Sequence, residues 1–375
     1  MIPYGKQNIS QDDIDAVVKC LKSDFITTGP KIPEFENALC EFSNTDYAVA
    51  VSSGTAALHC AMVALGITKG DEVIVSTLTF AASANCIVYQ NATPIFADSI
   101  ENSLLIDPVD VERKITSKTK AIIAVDYAGQ PCDYDALRTI CDKYNLFLVS
   151  DACHSIGGSY NNKKTGSLAD ITCFSFHPVK HITTGEGGAA LTNNEDLASK
   201  MRIFRNHGIT TDYRQRELNG AHYYEMTQLG FNYRITDFQC ALGISQLKKL
   251  NLWIEKRNQI AEIYDSAFLE LKKITPLYNN ENVLNAYHLY VVKLDESLNR
   301  DAIFLKMRNA GIGVNVHYIP VHLHPYYKNT FATTEGQCPV AEEAYQHIIS
   351  LPMFPSLSYD EILYVIDSLS KFSNI

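Results

Sequence analysis

The sequence predicts an α/β fold, with a large, mostly parallel sheet covered by helices on both faces and a smaller C-terminal α+β unit. From about residue 47 to 192, short β-rich runs alternate with helical patterns, as they do when helices connect parallel strands. The motifs SSGT, SDACH and SFHPVK all fall where a strand should end. Because ligand sites in such sheets gather at the carboxyl ends of strands, these motifs form the candidate site.

The predicted elements follow one another in a regular order. The run begins with the strand YAVAVSS, the amphipathic helix TAALHCAMVALG and the strand DEVIVS, and it continues through TPIFAD, KAIIAVDYAG, a helix near DYDALRTICDKYN and LFLVSDA. A long helix from about Thr236 to Leu271 is predicted to lead into the second unit. That unit has strand patterns at HLYVVKL and GIGVNVHY around a helix near RDAIFLKMRNAG. We therefore expect a large domain over residues 1–245 and a small domain over residues 246–375.

Composition indicates an ordinary globular protein and argues against several function classes. The 375 residues are 46% hydrophobic, which is enough to bury a large core. A net charge of -10 argues against a nucleic-acid-binding surface. No apolar run approaches the roughly 20 residues of a membrane span, and the N-terminus lacks a basic start followed by an apolar segment, so we expect a cytoplasmic protein. The 10 cysteines contain no C-x-x-C pair and are predicted to be buried free thiols.

Lys180 carries the clearest chemical signal. It lies in SFHPVKHITTGEGG, flanked by apolar residues and glycines in a region rich in predicted buried strands, where a solvated charge is poorly placed. Burial lowers the pKa of a lysine because it disfavours the charged form, and a neutral amine can attack an aldehyde. Lys180 is therefore a candidate imine-forming residue.

Asp151 supplies the second half of this hypothesis. It stands at the end of the predicted strand LFLVSD, upstream of Lys180. An aldehyde cofactor with a basic pyridine ring needs a carboxylate beside its ring nitrogen, and Asp151 is placed to provide one. A reactive lysine and a carboxylate at two strand ends together indicate pyridoxal phosphate (PLP) as the cofactor.

Four further positions fit such a cofactor, although each has a simpler interpretation. Gly54, in SSGTAALH, stands between a strand and a helix, where backbone N–H groups hold phosphate or where the segment is a plain helix cap. Ser175 is a second phosphate candidate or a structural serine. Phe80 is placed either to stack on a planar ring or to pack in the core. His154 is either a neighbour of the phenolic oxygen of the cofactor or an internal histidine.

Two other motifs do not support a function. GEGGAA at Gly185 fits a dinucleotide pattern, but it follows no predicted strand and opens no helix, so we reject that interpretation. His322 and His324 in VHLHPYY resemble a metal-ligand pair, yet no carboxylate or cysteine set accompanies them. We expect no metal site and interpret the two histidines as loop or pocket residues.

A series of motifs over almost the whole chain resembles the DegT/DnrJ/EryC1/StrS family of sugar aminotransferases. The series extends from ITTGP at Ile26 through SSGTAAL, DACH, SFHPVKHITTGEGG, FRNHG and GFNYRITDFQCALG to SLPMFP at Ser350. The resemblance implies fold type I of the PLP-dependent transferases, the architecture of aspartate aminotransferase. It also implies a homodimer with shared active sites, in which PLP and pyridoxamine phosphate (PMP) alternate.

The resemblance implies a role for each matching residue. Lys180 matches the Schiff-base lysine and Asp151 the partner of the pyridine nitrogen, and these are the predicted catalytic residues. The other predicted cofactor contacts are Gly54, Thr55, Phe80, His154, Ser175 and Asn232. Asn232 matches a position that reaches the phosphate from the neighbouring subunit. The predicted substrate contacts are Tyr4, Asp24, Phe25, Ile26, Thr27, Val316, His317, Tyr318 and Ile319.

Within the family, the chain is similar to the pseudaminic acid branch at QNISQDDIDAV, ALCEF, LGFNYR and GIGVNVHY. This implies amino transfer from L-glutamate to the 4-keto carbon of a UDP-linked 4-keto-6-deoxy-N-acetyl hexose. The chain departs from common patterns at two positions. His154 stands where many family members have glutamine, although histidine is familiar in this branch, and Ile319 stands where the branch often has lysine.

Three alternatives stay open from the sequence. The first is an aminotransferase for another nucleotide keto sugar, such as a UDP-4-keto-pentose. The second is a family dehydratase, in which histidine replaces the lysine, and Lys180 argues against it. The third is a noncatalytic sugar-binding or sensory protein on the same fold, which the intact set of Lys180, Asp151 and Ser175 disfavours.

Overall fold

Helices and strands account for most of the residues that the computed structural model describes, which are 1–211, 216, 220 and 222–373. The helices are α1 (Gln11–Leu21), α2 (Lys31–Ser43), α3 (Gly54–Ala64), α4 (Ala82–Val88), α5 (Pro108–Arg113), α6 (Tyr134–Tyr144), α7 (Glu195–Phe204), α8 (Asp237–Leu247), α9 (Leu250–Phe268), α10 (Arg300–Asn309), α11 (Pro325–Phe331), α12 (Pro339–His347) and α13 (Tyr359–Phe372). The strands are β1 (Tyr47–Val51), β2 (Glu72–Ser76), β3 (Thr93–Ala97), β4 (Thr119–Val125), β5 (Phe147–Asp151), β6 (Ser159–Tyr160), β7 (Lys163–Lys164), β8 (Ile171–Ser175), β9 (Gly188–Thr192), β10 (Ile274–Pro276), β11 (Val283–Leu284), β12 (Tyr290–Leu294) and β13 (Ile348–Leu351).

The large sheet has seven strands in the order β1-β9-β8-β5-β4-β2-β3. The pairs β8-β5, β5-β4, β4-β2 and β2-β3 are parallel, whereas β9 is antiparallel to both of its neighbours. The sheet is therefore mostly parallel, as the sequence predicted. The carboxyl ends of its parallel strands meet at one edge, which brings distant segments of the chain together.

Apolar side chains bury both faces of this sheet. On one face, strand residues such as Val73 and Ile123 pack in one cluster with Leu58 of α3. On the other face, Phe174 of β8 packs with Phe35 of α2 and with residues of α8 and α9. The predicted coverage by helices on both faces is confirmed, and it leaves only the strand ends free to form a site.

A second core surrounds a three-stranded sheet of order β10-β12-β13, in which both pairs are antiparallel. Tyr264 of α9, Ile303 of α10 and Val365 of α13 pack around it. This is the α+β unit that the sequence predicted. The proposed boundary at 245/246 falls inside α8, whose Leu247 packs in the large-sheet core, and the division into two domains stays a prediction.

The helix predicted from about Thr236 to Leu271 is wrong as one element. The chain forms α8 and α9 instead, separated at Lys248 and Lys249. Nζ of Lys249 is 2.8 Å from the carboxylate of Asp13, which is fully buried. The break therefore brings a cation to a buried carboxylate of α1, an ion pair that helical periodicity alone does not reveal.

The strand predicted at GIGVNVHY is also wrong. These residues form only two isolated bridges, Ile312 with Ile2 and Asn315 with Ser350. Gly311 has a φ of +78°, which does not suit a strand, and a Cβ on Gly313 would lie 2.8 Å from the carbonyl oxygen of Ile2. The apolar side chains of the segment still pack in the cores, Ile312 and Val314 in that of the small sheet and Val316 against that of the large sheet, but the backbone N–H of Gly313 donates to Ile2 of the N-terminus instead of a strand.

No helix in the described ranges combines the length and apolar character needed to cross a bilayer.

All 10 cysteines are free, and eight of them are buried, as predicted.

Candidate active site

A cavity of about 710 Å³ opens at the carboxyl-end edge of the large sheet. Its walls include the ends of β5 and β8, the start of α3 and the irregular segment 315–318. Its volume lies in the range of roughly 300–1,000 Å³ typical of ligand sites. The predicted site residues that line it are Tyr4, Gly54, Thr55, Phe80, Asp151, His154, Ser175, Lys180, Val316, His317 and Tyr318.

Lys180 follows β8 after a turn in which its backbone N–H donates to the carbonyl oxygen of His177 at 2.9 Å. Its side chain lines the cavity, and Nζ is 3.4 Å from Nε2 of His288. Burial lowers the pKa of Lys180, and the nearby Cys153 and Asp151 oppose that shift without reversing it. The amine is therefore neutral more often than in free lysine, which is the state that a nucleophile or proton acceptor requires.

Asp151 ends β5 with its carboxylate buried beside the cavity. The Ser83 hydroxyl donates to Oδ2 at 2.6 Å, and the backbone N–H of Cys153 donates to Oδ1 at 3.2 Å. Within the described part of the chain, Asp151 forms no ion pair. Since a buried carboxylate is costly without a cation, this position favours a ligand that presents a positively charged N–H group.

The start of α3 and the end of β8 lie side by side and form a cradle. The Ser53 side chain caps the helix by accepting the N–H of Ala56 at 3.0 Å. The first turn of α3, which carries the positive end of the helix dipole, lines the cavity. A Cβ on Gly54 would lie 2.8 Å from Cβ of Ser175 and 3.1 Å from Sγ of Cys153. The close approach leaves backbone N–H groups and the Ser175 hydroxyl available to an anion such as phosphate.

Phe80 and Tyr318 form an aromatic wall of the cavity. Phe80 is 62% exposed, which is unusual for phenylalanine, and its ring centroid is 6.1 Å from that of Tyr318. The Tyr318 hydroxyl is 3.1 Å from Nε2 of His154. Burial raises the pKa of Tyr318 and lowers that of His154, so both groups stay neutral near pH 7. The wall presents apolar faces on which a planar ring can stack.

Several predicted site residues do not line the cavity of their own chain. Asn232 is exposed and forms a bridge with Asn206, and residues 24–27 are exposed, with Thr27 bridging Thr236. Ile319 is 41% exposed and also lies outside the cavity lining. These positions can contact a ligand in this cavity only if another chain or a conformational change brings them to it.

His288 is a cavity residue that the sequence analysis missed, because HLYVVKL was interpreted only as a strand. It directly precedes Leu289 and β12, and besides its contact with Lys180 its ring lies 4.3 Å from that of His154. Nδ1 of both histidines is buried without a hydrogen-bond partner in the described residues. The one feature of the sequence that could have indicated His288 is its position just before a buried strand. Only the fold brings it beside Lys180.

The other two histidines singled out in the sequence lie elsewhere. His322 is buried between Thr77 and Glu342, and His324 is the residue before α11. In the ranges that the structure describes, no three histidine, cysteine, aspartate or glutamate side chains come together as a metal site.

The sheet order, the lysine after β8 and the carboxylate at the end of β5 define the fold-type I class of PLP-dependent transferases. The family model described as the DegT/DnrJ/EryC1/StrS aminotransferase family matches residues 7–370. The chain belongs to this family, as the sequence motifs indicated.

Individual relatives match over nearly their whole length. The UDP-4-amino-4,6-dideoxy-N-acetyl-beta-L-altrosamine transaminase of Campylobacter jejuni is 39% identical over 98% of this chain and 96% of the relative. The spore coat polysaccharide biosynthesis protein SpsC of Bacillus subtilis is also 39% identical, with the same two coverages. Spr1654 of Streptococcus pneumoniae, solved in a PLP form, is 33% identical, with a TM-score of 0.93 over 100% of this chain and 98% of that one.

Proposed function

We propose that this protein is a PLP-dependent aminotransferase that moves the amino group of L-glutamate to the 4-keto carbon of a UDP-linked 4-keto-6-deoxy-N-acetyl hexose, in pseudaminic acid biosynthesis. The observation that carries the proposal is the low-pKa amine of Lys180 in one cavity with the buried carboxylate of Asp151, which has no ion-pair partner in the described residues. Family membership and the similarity to the Campylobacter transaminase support the reaction class and the choice of sugar.

The residues of this cavity fit PLP group by group. Gly54, Thr55 and Ser175 would hold the phosphate at the start of α3. Phe80 would stack on the ring, and Asp151 would accept a hydrogen bond from the protonated ring nitrogen. The neutral ring of His154 would lie near the phenolic oxygen. The buried carboxylate that lacks a cation and the crowded cradle around Gly54 are the structural features that this fit explains.

Bound PLP would supply an electron sink for the carbanion that forms when the α-proton of glutamate is removed. Lys180 would tether the cofactor and, once released, move that proton at Nζ. Burial keeps the amine able to accept a proton, and His288, whose Nε2 is 3.4 Å away, would orient it. Asp151 would keep the ring nitrogen protonated through its negative charge.

The acceptor sugar would enter beside Tyr4 and the segment Val316–Ile319. This placement is supported by four residues that line the cavity, Tyr4, Val316, His317 and Tyr318. Ile319 is the exposed end of the segment, so we propose that it contacts the outer part of the substrate. A large polar ligand such as a nucleotide sugar requires an entrance of this kind.

We further propose a homodimer in which Asn232 and residues 24–27 of each subunit complete the site of the other. Both segments are exposed in the single chain, and Asp237 at the start of α8 holds the second one by accepting the N–H groups of Gly29 and Lys31 at 2.7 and 2.9 Å. Exposed apolar side chains flank them, as expected for an interface. These side chains are Ile14, Val18, Leu21, Phe25, Ile26, Tyr223, Tyr224, Met226, Leu229 and Phe231.

The decisive experiment is borohydride reduction of the purified holoenzyme followed by peptide mapping. The label is expected on Lys180, and Lys180→Ala should abolish amine transfer while still binding PLP noncovalently. Lys163→Ala, at an exposed lysine of β7, is the matched control and should behave as wild type. A label on another residue, or transfer that survives in Lys180→Ala, would overturn the assignment.

A second acceptor, a UDP-4-keto-pentose, stays open because of one residue. Ile319 stands where the pseudaminic branch often has lysine, so a charged contact to the substrate is missing. Assays of amine transfer from L-glutamate to each keto sugar separate the two functions. Loss of the cofactor absorbance on addition of L-glutamate also distinguishes both from a noncatalytic sugar-binding protein.

A further inference from the structure

His322 lies outside the cavity and takes no part in the function proposed above. Its ring is fully buried, with Nδ1 2.6 Å from Oγ1 of Thr77 and Nε2 2.9 Å from Oε1 of Glu342. One arrangement of protons satisfies all three side chains: Nε2–H donates to the Glu342 carboxylate, and the Thr77 hydroxyl donates to Nδ1. Burial lowers the pKa of His322, which favours the neutral ring that this arrangement needs.

Thr77 and His322 connect two walls of the cavity. Thr77 lies just after β2, three residues before Phe80, and its carbonyl oxygen accepts the N–H of Val321 at 2.8 Å. His322 follows Tyr318 by four residues. The backbone and side-chain hydrogen bonds of Thr77 therefore hold the chain that carries Tyr318 at a fixed place relative to Phe80, whose ring lies 6.1 Å from the Tyr318 ring.

Thr77, His322 and Glu342 form a hydrogen-bond network, and its Glu342 end is also held in place. Its carboxylate accepts the backbone N–H groups of Gly336 and Cys338 at 2.8 and 3.1 Å. The Thr333 hydroxyl donates to the carbonyl oxygen of His322 at 2.6 Å. This segment covers the histidine ring and excludes water, so losing one partner leaves a buried polar atom without compensation.

The cavity segment has a separate attachment to the small sheet. Asn315 bridges Ser350 of β13, and Nδ1 of His317 is 2.8 Å from Oγ of the same serine. The segment thus runs from the small sheet to the large one, and His322 is bound to the large-sheet end. Tyr318 is also bound on the large-sheet side by its hydroxyl, which contacts His154, and by the Tyr127 hydroxyl, which donates to the carbonyl oxygen of His317. The His322 network adds the attachment that fixes the backbone beyond Tyr318.

We infer that His322 is a positioning residue that sets the separation of Tyr318 from Phe80 and thereby the affinity for the amino-acceptor sugar nucleotide. The inference rests on the proposed function, because that function places the acceptor against residues 316–319. Lys180 and Asp151 are held by other strands, so the reaction with the amino donor should not depend on this network.

The test compares Thr77→Val, Thr77→Ser and wild-type holoenzyme. Thr77→Val keeps the side-chain shape but removes the donor to Nδ1, and it should raise KM for the UDP-linked 4-keto-6-deoxy-N-acetyl hexose by about tenfold, the scale of one lost buried hydrogen bond. KM for L-glutamate and the rate of the half-reaction with L-glutamate should stay at the wild-type level. Thr77→Ser restores the hydroxyl and should restore the acceptor KM.

His324→Gln is the matched control, since this histidine is two residues away and outside the network, and its KM values should equal those of wild type. Equal rises in both KM values, or no rise in Thr77→Val, would overturn the inference. If Thr77→Val does not fold, Glu342→Gln tests the same network with an isosteric side chain. Calorimetric titration of the same variants with UDP should show the same loss of affinity, and it tests the inference even if the hexose is the wrong acceptor. Failure of the wild-type enzyme to react with L-glutamate would instead refute the proposed function.

Discussion

At the scale of single residues, Gly54 shows how one missing side chain shapes the site. It begins α3 beside Ser175, the last residue of β8, and even one added carbon would lie 2.8 Å from Ser175 and 3.1 Å from Cys153. A hydroxyl and the helix start consequently face the same small volume. The cradle suits a phosphate because Gly54 has no side chain, rather than because a charged side chain is present.

We expect Gly54→Ala to weaken cofactor binding by at least about tenfold, because Ser175 must shift to relieve the contact and the cradle is then distorted. The dissociation constant of PLP, measured by titration of the apoenzyme, tests this. Gly5→Ala is the control, since its added carbon would meet nothing closer than Cβ of Val179 at 3.8 Å. Unchanged PLP affinity in Gly54→Ala would contradict the proposed phosphate site.

At the scale of elements, α3 is held by its aromatic surroundings as well as by the sheet. His59 of this helix lies among the rings of Tyr89, Phe204, Phe231 and Tyr233. Its Nδ1 is 3.0 Å from the Tyr233 hydroxyl, and its Nε2 is 2.7 Å from the side-chain amide of Gln90. The neutral ring is fully hydrogen-bonded, and burial lowers its pKa to about 4.

This pKa predicts acid destabilisation. Between pH 6.5, the ordinary pKa of histidine, and about 4, the unfolded chain binds more protons at His59 than the folded protein does, so the free energy of unfolding falls as pH falls through this window. The loss should reach about 2–3 kcal/mol. Urea unfolding of the holoenzyme at several pH values measures it.

His59→Phe should reduce the pH dependence of the unfolding free energy by the contribution of this one ring, because phenylalanine does not titrate, whereas His154 and His322, whose pKa values burial also lowers, keep their own contributions. His222→Gln, at an exposed histidine, should leave the slope as it is in wild type. An unchanged slope in His59→Phe would show that other groups cause the acid sensitivity.

At the scale of the whole molecule, the predicted site residues fall into two groups that lie apart in a single chain. The lysine and carboxylate lie in a cavity of their own subunit, whereas Asn232 and residues 24–27 lie outside it on an exposed, partly apolar surface. A single chain therefore carries an incomplete set of the predicted contacts. In the homodimer proposed above, pairing would bring Asn232 and residues 24–27 of one chain to the cavity of the other and bury these apolar side chains.

Mixed dimers test this arrangement. Lys180→Ala and Asn232→Ala proteins should each be impaired alone, but dimers formed from one of each contain one site with both native residues and should recover up to half of the wild-type activity per dimer. Activity after mixing, unfolding and refolding together is the measurement.

The control for the mixed dimers is the double variant Lys180→Ala/Asn232→Ala paired with wild type. Each site of that mixed dimer lacks one of the two residues, so it should add nothing beyond the wild-type homodimers present. If Asn232 acts within its own subunit instead, the mixture of the two single variants should recover nothing, and the mixed dimers of the control should keep one complete site on the wild-type chain.

The sequence by itself determined the alternation of strands and helices, the mostly parallel sheet and the family, because hydrophobic periodicity and local motifs record them directly. It also predicted that Lys180 and Asp151 share a site, since each stands in a distinctive motif at or after a predicted strand, and both side chains line one cavity. It failed for the helix break at Lys248 and Lys249 and for GIGVNVHY, where contacts with distant residues outweigh local pattern.

Only the tertiary structure placed His288 beside Lys180 and joined Thr77, His322 and Glu342. These contacts link residues 108, 245 and 20 positions apart in the chain. Strand order and the packing of loops bring such residues within hydrogen-bond distance, and neither leaves a periodic signal in the sequence. Local pattern therefore fixes what each segment becomes, while long-range packing decides which side chains meet.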